Sequence, residues 1–182
     1  MIIFVCPLSK MAELVARHNP SRVVSLLDPE SEFPELGPAY AGRHLRLMFH
    51  DIHVPCENMV VPGAKHIDHL LTFLERWDPS DSILIHCRAG IGRSTAAAFI
   101  AACLHNPDID ELEIATQLRR ASPLARPNET LIKIADKALG RKGRMSAAIT
   151  NTGRNLPWLR VIESEPFQLP ARFPSTREIQ GK

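Results

Sequence analysis

The sequence predicts an α/β fold with a mostly parallel central sheet flanked by helices. Short apolar runs typical of strands alternate along the chain with segments of helical periodicity. One run, SILI at 82–85, is continuously apolar, as expected for a central strand covered by helices on both faces. The length of 182 residues and the hydrophobic content of 45% favour one domain. We expect this domain to span 1–170, with a flexible tail, rich in proline and charge, over 171–182.

The first half of the chain contains three of the expected strands. IIFV at 2–5 is apolar and is followed by Ser9, a good N-cap for a helix over KMAELVARH. RVVSLL at 22–27 is rich in β-branched and apolar residues, and a loop rich in proline and glycine follows it. HLRLMF at 44–49 alternates polar and apolar residues. These patterns predict the order strand, helix, strand, loop, strand.

The second half of the chain is mainly helical. Pro62 is suited to the first position of a helix, because it lacks only a hydrogen bond that this position does not make. Beyond the strand at 82–85, helical patterns cover 94–104, 109–121 and 128–139, and from 141 onward the pattern weakens. The apolar face of the helix after Pro62 has spacings of three, four and seven, and consists of Ile67, Leu70, Leu71, Leu74 and Trp77.

Composition and charge exclude several classes of protein. The formal net charge of +2 is too small to indicate a general nucleic-acid binder. The N-terminal stretch MIIFVCPLSK has neither the basic start of a signal peptide nor the length of a membrane span, so we expect a cytoplasmic protein. The four cysteines show no metal-type pairing, and a reducing compartment favours free thiols. We expect neither a metal nor another cofactor; the oligomeric state is left open.

The stretch HCRAGIGRS at 86–94 carries the chemical signal of this chain. A strand that ends in a glycine-bearing loop and continues into a helix directs backbone N–H groups and the positive end of the helix dipole at one point, which binds an oxyanion. Gly90 and Gly92 permit the tight turn and the close approach of a ligand. A cysteine in such a place ionises readily and becomes a nucleophile. Arg93 presents a planar fork that can hold two phosphoryl oxygens.

These residues match the HCxxGxxRS signature, and the chain resembles the cysteine-based protein tyrosine phosphatases, in particular small dual-specificity members of bacterial type. The resemblance implies that Cys87 is the nucleophile that forms a phosphocysteine and that Arg93 clamps the phosphate. Ser94 would assist departure of the sulfur, besides the helix cap that a serine here can form, and His86 would order the loop from behind. The amide cradle would consist of Arg88, Ala89, Gly90, Ile91, Gly92 and Arg93.

The reaction also needs a general acid near Cys87. The loops after parallel strands share one edge of a sheet, and Asp28 and Asp51 both follow expected strands. The resemblance favours Asp51, because dual-specificity phosphatases carry their acid in a similar loop upstream of the signature. SPLARPNETL resembles the element whose asparagine braces the phosphate loop, so Asn128 is a candidate for that role and also for the N-cap of the helix after it.

The resemblance also implies a shallow site that accepts phosphotyrosine in a phosphorylated protein or a small phosphomonoester, and also phosphoserine or phosphothreonine. A basic run of Arg141, Lys142, Arg144 and Arg154 keeps an inositol phosphate or phosphoinositide substrate open, although a solvated surface is the simpler interpretation. A rhodanese-like sulfurtransferase and a non-catalytic phosphate-binding module are the remaining alternatives. Cys6 or Cys56 is a candidate to protect Cys87 as a disulfide under oxidation.

Overall fold

The computed structural model describes residues 2–153 and 162–174. Its elements alternate between strand and helix in the first half and are mainly helical in the second, as the sequence predicts. In chain order they are β1 Ile2–Pro7, α1 Leu8–His18, β2 Arg22–Leu27, a short 3-10 helix Pro38–Tyr40, β3 His44–Met48, α2 Ala64–Glu75, β4 Ile83–Cys87, α3 Arg93–His105, α4 Glu111–Ala121, α5 Glu129–Ala138, α6 Arg144–Asn151 and β5 Phe167–Pro170.

The strands form one five-stranded sheet in the order β3-β2-β4-β1-β5. The first four strands are parallel, and β5 joins the edge of β1 in the antiparallel direction. β4 lies at the centre and is buried along its whole length, which explains why its sequence is apolar without alternation. The expected α/β class with a mostly parallel sheet is therefore confirmed.

The two faces of the sheet are covered unequally. α1 packs on one face over a small core around Phe4, Met11 and Leu84. The other helices cover the opposite face and enclose the larger core. α3 lies within this layer and is buried from Arg93 to Cys103. Because it is covered on all sides, alanine and other apolar residues occur all around the helix instead of along one face.

The parallel direction of β1 to β4 brings the segments that follow these strands to one edge of the sheet. Asp28 follows β2, Asp51 lies in the loop after β3, and Cys87 ends β4. Leu8, directly after β1, donates its backbone N–H to the carbonyl of Arg88 at 3.2 Å. The candidate acids and the signature loop therefore lie at the same edge of the sheet, because their strands are parallel and adjacent.

A flexible tail is expected from residue 171, but Ala171 and Phe173 pack against the domain. Ala171 is fully buried and Phe173 is 9% exposed. The side-chain amide of Asn106 donates to the carbonyl of Ala171 at 3.0 Å and its oxygen accepts the N–H of Phe173 at 2.8 Å. The chain thus stays packed as far as Phe173, because the apolar side chains of Ala171 and Phe173 both face the core; residues 175–182 lie outside the described part.

One member of the basic run after residue 140, Arg141, belongs to a buried ion-pair network rather than to a solvated surface. The Arg141 side chain is 8% exposed and donates to Glu111 Oε1 at 2.9 Å and to the carbonyl of Pro107 at 3.1 Å. Arg144 binds the other oxygen of the same carboxylate at 3.0 Å. Arg144 thus joins α6 to α4, Arg141 joins the turn before α6 to the same helix, and Arg154 lies outside the described residues. The simpler interpretation of a solvated surface is therefore wrong for Arg141.

Two helix starts differ from the expectation. α1 begins at Leu8 with Pro7 as its N-cap, and the hydroxyl of Ser9 instead donates to Glu163 Oε2 at 2.6 Å. α2 begins at Ala64 rather than at Pro62, because the ring of His66 accepts the N–H of Gly63 at 3.0 Å and closes the first turn there. Within 2–153 and 162–174, every helix falls short of the length and apolarity that crossing a membrane requires.

Replacing Glu111 by glutamine will lower the free energy of unfolding of the protein. Glu111 is 2% exposed, and its loss leaves the buried guanidinium of Arg141 without a counter-ion. Breaking a buried pair in this way costs about 3–5 kcal/mol. Urea denaturation measures the change in the free energy of unfolding. The control is Glu113→Gln on the exposed face of α4, where we expect less than about 0.5 kcal/mol; equal effects would contradict the structural role of the pair.

Candidate active site

The stretch 88–92 forms the turn between β4 and α3, with Cys87 at the end of the strand. The Cys87 side chain is almost fully buried, and its sulfur lies 3.2 Å from the hydroxyl oxygen of Ser94. The backbone N–H of Gly90 donates to the same sulfur at 3.3 Å. A hydroxyl and an amide thus both contact the sulfur atom and can both donate to it.

The carbonyl groups of this turn are all held from outside it. Because each peptide unit is planar and trans, a carbonyl that points outward directs the N–H of the next residue inward. The inward N–H groups therefore surround the space next to Cys87, and they belong to residues 89–93. The outer donors are Leu8 N–H to Arg88, Ser164 N–H to Ala89, Ser164 Oγ to Gly90, Arg126 N–H to Ile91, and Asn128 N–H and Thr95 Oγ1 to Gly92.

Among the described residues, the guanidinium of Arg93 has hydrogen-bond acceptors at one of its three nitrogens. Nη1 donates to Asp28 Oδ1 at 2.9 Å and to the carbonyl of Phe49 at 2.7 Å, and the side chain is 4% exposed. Nε is buried and has no hydrogen-bond partner among the described residues. A buried donor without a partner is costly, so this edge of the guanidinium is suited to an anionic ligand.

Asp51 reaches the same turn from the loop after β3. Its carboxylate lies directly over Gly92, so close that a Cβ at position 92 would collide with it. The side-chain amide of Asn128 donates to Asp51 Oδ1 at 2.7 Å. Asn128 is fully buried; its own side-chain oxygen caps α5 by accepting the N–H groups of Thr130 and Leu131. Asn128 therefore contacts both the turn, through its backbone N–H, and the carboxylate.

His86 lies behind the turn in a buried hydrogen-bonded row. The hydroxyl of Ser25 lies 2.6 Å from Nε2 of His86 and 2.7 Å from Nε2 of His44. Burial lowers the pKa of His86 to about 4 and likewise that of His44 to about 4. Both rings are therefore neutral at pH 7, and the single hydroxyl can donate to one ring and accept from the other.

A cavity of about 720 Å³ opens beside the turn, and much of its lining is acidic. Three carboxylates line it, two of which already have a partner: Asp28 binds Arg93, and Glu30 lies 3.2 Å from Nε2 of His50. The complete lining comprises Leu8, Asp28, Glu30, Ser31, Glu32, His50 and Arg88.

The remaining cysteines differ in their exposure. Cys6 and Cys103 are fully buried and Cys56 is exposed, and all four cysteines are free. Burial, together with the nearby Cys87, raises the pKa of the Cys6 thiol to about 12. A buried thiol that resists ionisation attacks slowly, which disfavours Cys6 as the partner of Cys87. The protective disulfides with Cys6 and with Cys56 both stay predictions.

The structure brings together Cys87, Arg93, Ser94, Asp51 and Asn128, all of which the sequence singled out. It separates Asp28 from Asp51, since Asp28 binds the guanidinium and Asp51 lies over the turn. Two contacts were missed by sequence reasoning. Ser25 had a signal, a lone hydroxyl in the apolar run RVVSLL, whereas Ser164 had none.

This combination of a parallel sheet, a cysteine at the end of the central strand and a turn of inward N–H groups before a buried arginine defines a cysteine-based phosphatase of dual-specificity type. A family model described as the polymorphic toxin system DSP-PTPase phosphatase matches residues 10–108, more than half of the chain. The chain belongs to this family, and it is a phosphatase. A search of curated protein sequences finds no significant match.

Solved structures share the fold at low sequence identity. The PTP-2 phosphatase of Cydia pomonella is 24% identical with a TM-score of 0.52, and the match covers 74% of this chain and 84% of that one. Human DUSP28 is 18% identical with a TM-score of 0.57, covering 77% and 89%. The human tyrosine phosphatase-like serine/threonine/tyrosine-interacting protein is 16% identical with a TM-score of 0.58, covering 77% and 92%.

We expect the protein to lose stability between pH 7 and pH 5. Unfolded histidines take up a proton near pH 6.5, whereas His44 and His86 stay neutral in the folded chain until about pH 4. The unfolded state therefore binds more protons as the pH falls through this window, and the folded state is disfavoured. Thermal melts at several pH values will show a falling Tm. In His44→Gln the slope will be smaller, whereas the exposed-site control His69→Gln will keep it; an unchanged slope in both would contradict the assignment.

Proposed function

We propose that this phosphatase hydrolyses phosphotyrosine, and also phosphoserine and phosphothreonine, through a phosphocysteine intermediate. The turn at the end of β4 carries this proposal: the Gly90 N–H contacts the Cys87 sulfur, the carbonyls of residues 88–92 are bound from outside, and Nε of the adjoining Arg93 is buried without a partner among the described residues. A tetrahedral phosphoryl group fits this set, since a nucleophile faces the phosphorus while fixed donors bind its oxygens. The donors are in place before the substrate arrives, so little reorganisation accompanies the reaction.

In the first step the Cys87 thiolate attacks phosphorus, and the sulfur–phosphorus bond forms as the bond to the leaving oxygen breaks. Asp51 gives its proton to that oxygen. Its position over Gly92, at the mouth of the turn, supports this role. Arg93 and the amides bind the three non-bridging oxygens, where negative charge is concentrated.

In the second step Asp51, now a carboxylate, takes a proton from a water molecule as the water oxygen bonds to phosphorus. The sulfur–phosphorus bond breaks and Cys87 leaves as a thiolate, with inorganic phosphate as product. The hydroxyl of Ser94, 3.2 Å from the sulfur, supports this departure because it can donate to the developing negative charge. The backbone N–H of Gly90 acts in the same way.

The charges beside the turn favour a phosphorylated protein over an inositol phosphate. Substrates with several phosphates would place negative charge next to Glu30 and Glu32, which line the adjoining cavity. Of the basic run that had kept such substrates open, Arg141 and Arg144 are both paired with Glu111. A single phosphate on a side chain needs only the turn itself. We also propose that the catalytic unit is one domain and that it works in the cytoplasm, where Cys87 remains reduced.

The central test is turnover of p-nitrophenyl phosphate in the presence of EDTA. Wild type will hydrolyse it, because no step of the proposed mechanism uses a metal, and Cys87→Ser will lose at least about a thousandfold in kcat. A phosphotyrosine peptide will be a better substrate than a phosphoinositide at equal concentration. Absence of turnover by wild type, or retained activity in Cys87→Ser, overturns the mechanism. Faster phosphoinositide hydrolysis overturns the substrate class, and thiosulfate-to-cyanide transfer would identify a sulfurtransferase.

A comparison of two aspartate variants distinguishes the acid from the carboxylate that holds Arg93. Asp51→Asn will reduce kcat/KM by about a hundredfold or more for phenyl phosphate but much less for p-nitrophenyl phosphate, whose leaving group needs no proton. Asp28→Asn will affect both substrates by a similar factor, roughly tenfold, because it acts through the guanidinium that binds the phosphate. Leaving-group dependence in Asp28→Asn, with none in Asp51→Asn, would reverse the assignment.

A further inference from the structure

The C-terminal segment contacts the back of the signature turn through one residue, Ser164. Its backbone N–H donates to the carbonyl of Ala89 at 2.9 Å, and its hydroxyl donates to the carbonyl of Gly90 at 3.0 Å. Two consecutive carbonyls of the turn are thus bound by the same residue. We propose that Ser164 is a positioning residue of the phosphate site: it holds these carbonyls outward and thereby directs the N–H of Gly90 at the Cys87 sulfur and the N–H of Ile91 at the phosphate.

The geometry of the peptide units carries this inference. In a trans peptide the carbonyl and the following N–H point in opposite directions, so the bond from Ser164 to Ala89 orients the N–H of Gly90. That N–H indeed points to the Cys87 sulfur, at 3.3 Å. The bond from the Ser164 hydroxyl to Gly90 orients the N–H of Ile91 in the same way.

The contact is close and water has little access to it. Ser164 is 5% exposed. Gly90 has a φ of +72°, a conformation that suits glycine, and a Cβ there would collide with Ser164 Oγ and lie 2.8 Å from the backbone nitrogen of Pro7. A glycine at position 90 is therefore required by Ser164 on one side as well as by its own backbone conformation.

The segment that carries Ser164 is fixed at both ends. On one side Glu163 accepts the hydroxyl of Ser9 at 2.6 Å. On the other side β5 pairs with β1, and Asn106 binds the chain just beyond it. Ser164 lies outside residues 10–108, the part that the family model matches. The phosphate turn of this chain is thus supported by a segment that follows that part.

Loss of the Ser164 hydroxyl leaves the Gly90 carbonyl buried without this donor. The peptide unit between Gly90 and Ile91 is then free to rotate, which misdirects one N–H of the cradle. One neutral hydrogen bond corresponds to about a three- to tenfold change in binding. We expect Ser164→Ala to weaken the binding of inorganic phosphate by this factor and to lower kcat as well as raise KM for p-nitrophenyl phosphate.

The experiment compares Ser164→Ala with Ser9→Ala, which removes the exposed hydrogen bond to Glu163 on the same segment. Phosphate affinity is measured by calorimetry and the ionisation of Cys87 by the pH dependence of iodoacetamide alkylation, with Tm recorded for each variant. Ser164→Ala will weaken phosphate binding, because the N–H of Ile91 is less well held, and will leave the alkylation midpoint unchanged, because the backbone N–H of residue 164 still orients the Gly90 amide that contacts the sulfur. Ser9→Ala will change neither. A Ser164→Ala variant that lowers only Tm would overturn the proposal.

Two additions keep the outcome decisive. If Ser164→Ala fails to fold, Ser164→Cys keeps the shape of the side chain with a weak donor in place of the hydroxyl, and calorimetry alone is expected to show the same loss of phosphate affinity. The inference rests on the proposed function, but calorimetry with phosphate requires no turnover. If wild type binds phosphate but hydrolyses no phosphomonoester, the proposed function alone is overturned. If wild type is active and Ser164→Ala binds phosphate as strongly as Ser9→Ala does, the role of Ser164 alone is overturned.

Discussion

The structure depends on how the carbonyl groups of residues 88–92 are satisfied. Every one of them accepts a hydrogen bond from outside the turn, and peptide planarity then leaves five N–H groups pointing inward. The donors come from the start of α1, the first turn of α3, the loop before α5 and the C-terminal segment. The shape of a short anion-binding turn is thus set by elements from most of the chain, and the cost of ordering its flexible glycines is offset by the packed domain around it.

Arg93 and Asn128 link this turn to the neighbouring strands. The guanidinium binds Asp28 after β2 and the carbonyl of Phe49 after β3, while its Nε stays available for a ligand. Asn128 binds Gly92 through its backbone and Asp51 through its side chain. In the proposed mechanism the phosphate clamp and the proton donor are therefore fixed relative to the same turn, which reduces the reorganisation that would otherwise raise the barrier.

The sequence predicted the parts of this site that depend on local pattern. The signature from His86 to Ser94 was recognisable because its residues are consecutive, and the α/β class followed from the alternation of strand and helix. The contacts of Ser164 were not predictable, because it bonds to residues 74 and 75 positions earlier in the chain and nothing around it marks a partner. The same holds for the pair of Arg141 and Glu111: a charge in a basic run has the same appearance in sequence whether it is solvated or buried. Ala171 and Phe173 were assigned to the tail because proline and charged residues surround them, although their own side chains are apolar.

The distribution of charge around the turn suits a substrate with one phosphate. The cradle attracts an anion through fixed N–H groups and one guanidinium, so its attraction is concentrated within a few ångströms of Cys87. Asp28 partly neutralises that guanidinium, and the cavity beside it is lined by Glu30 and Glu32 as well, against the single arginine Arg88. A second phosphate on the same substrate would leave the cradle and meet carboxylates, whereas a peptide backbone or an uncharged side chain would not. In the proposed function, selection between substrates thus arises from repulsion beside the site as much as from attraction within it.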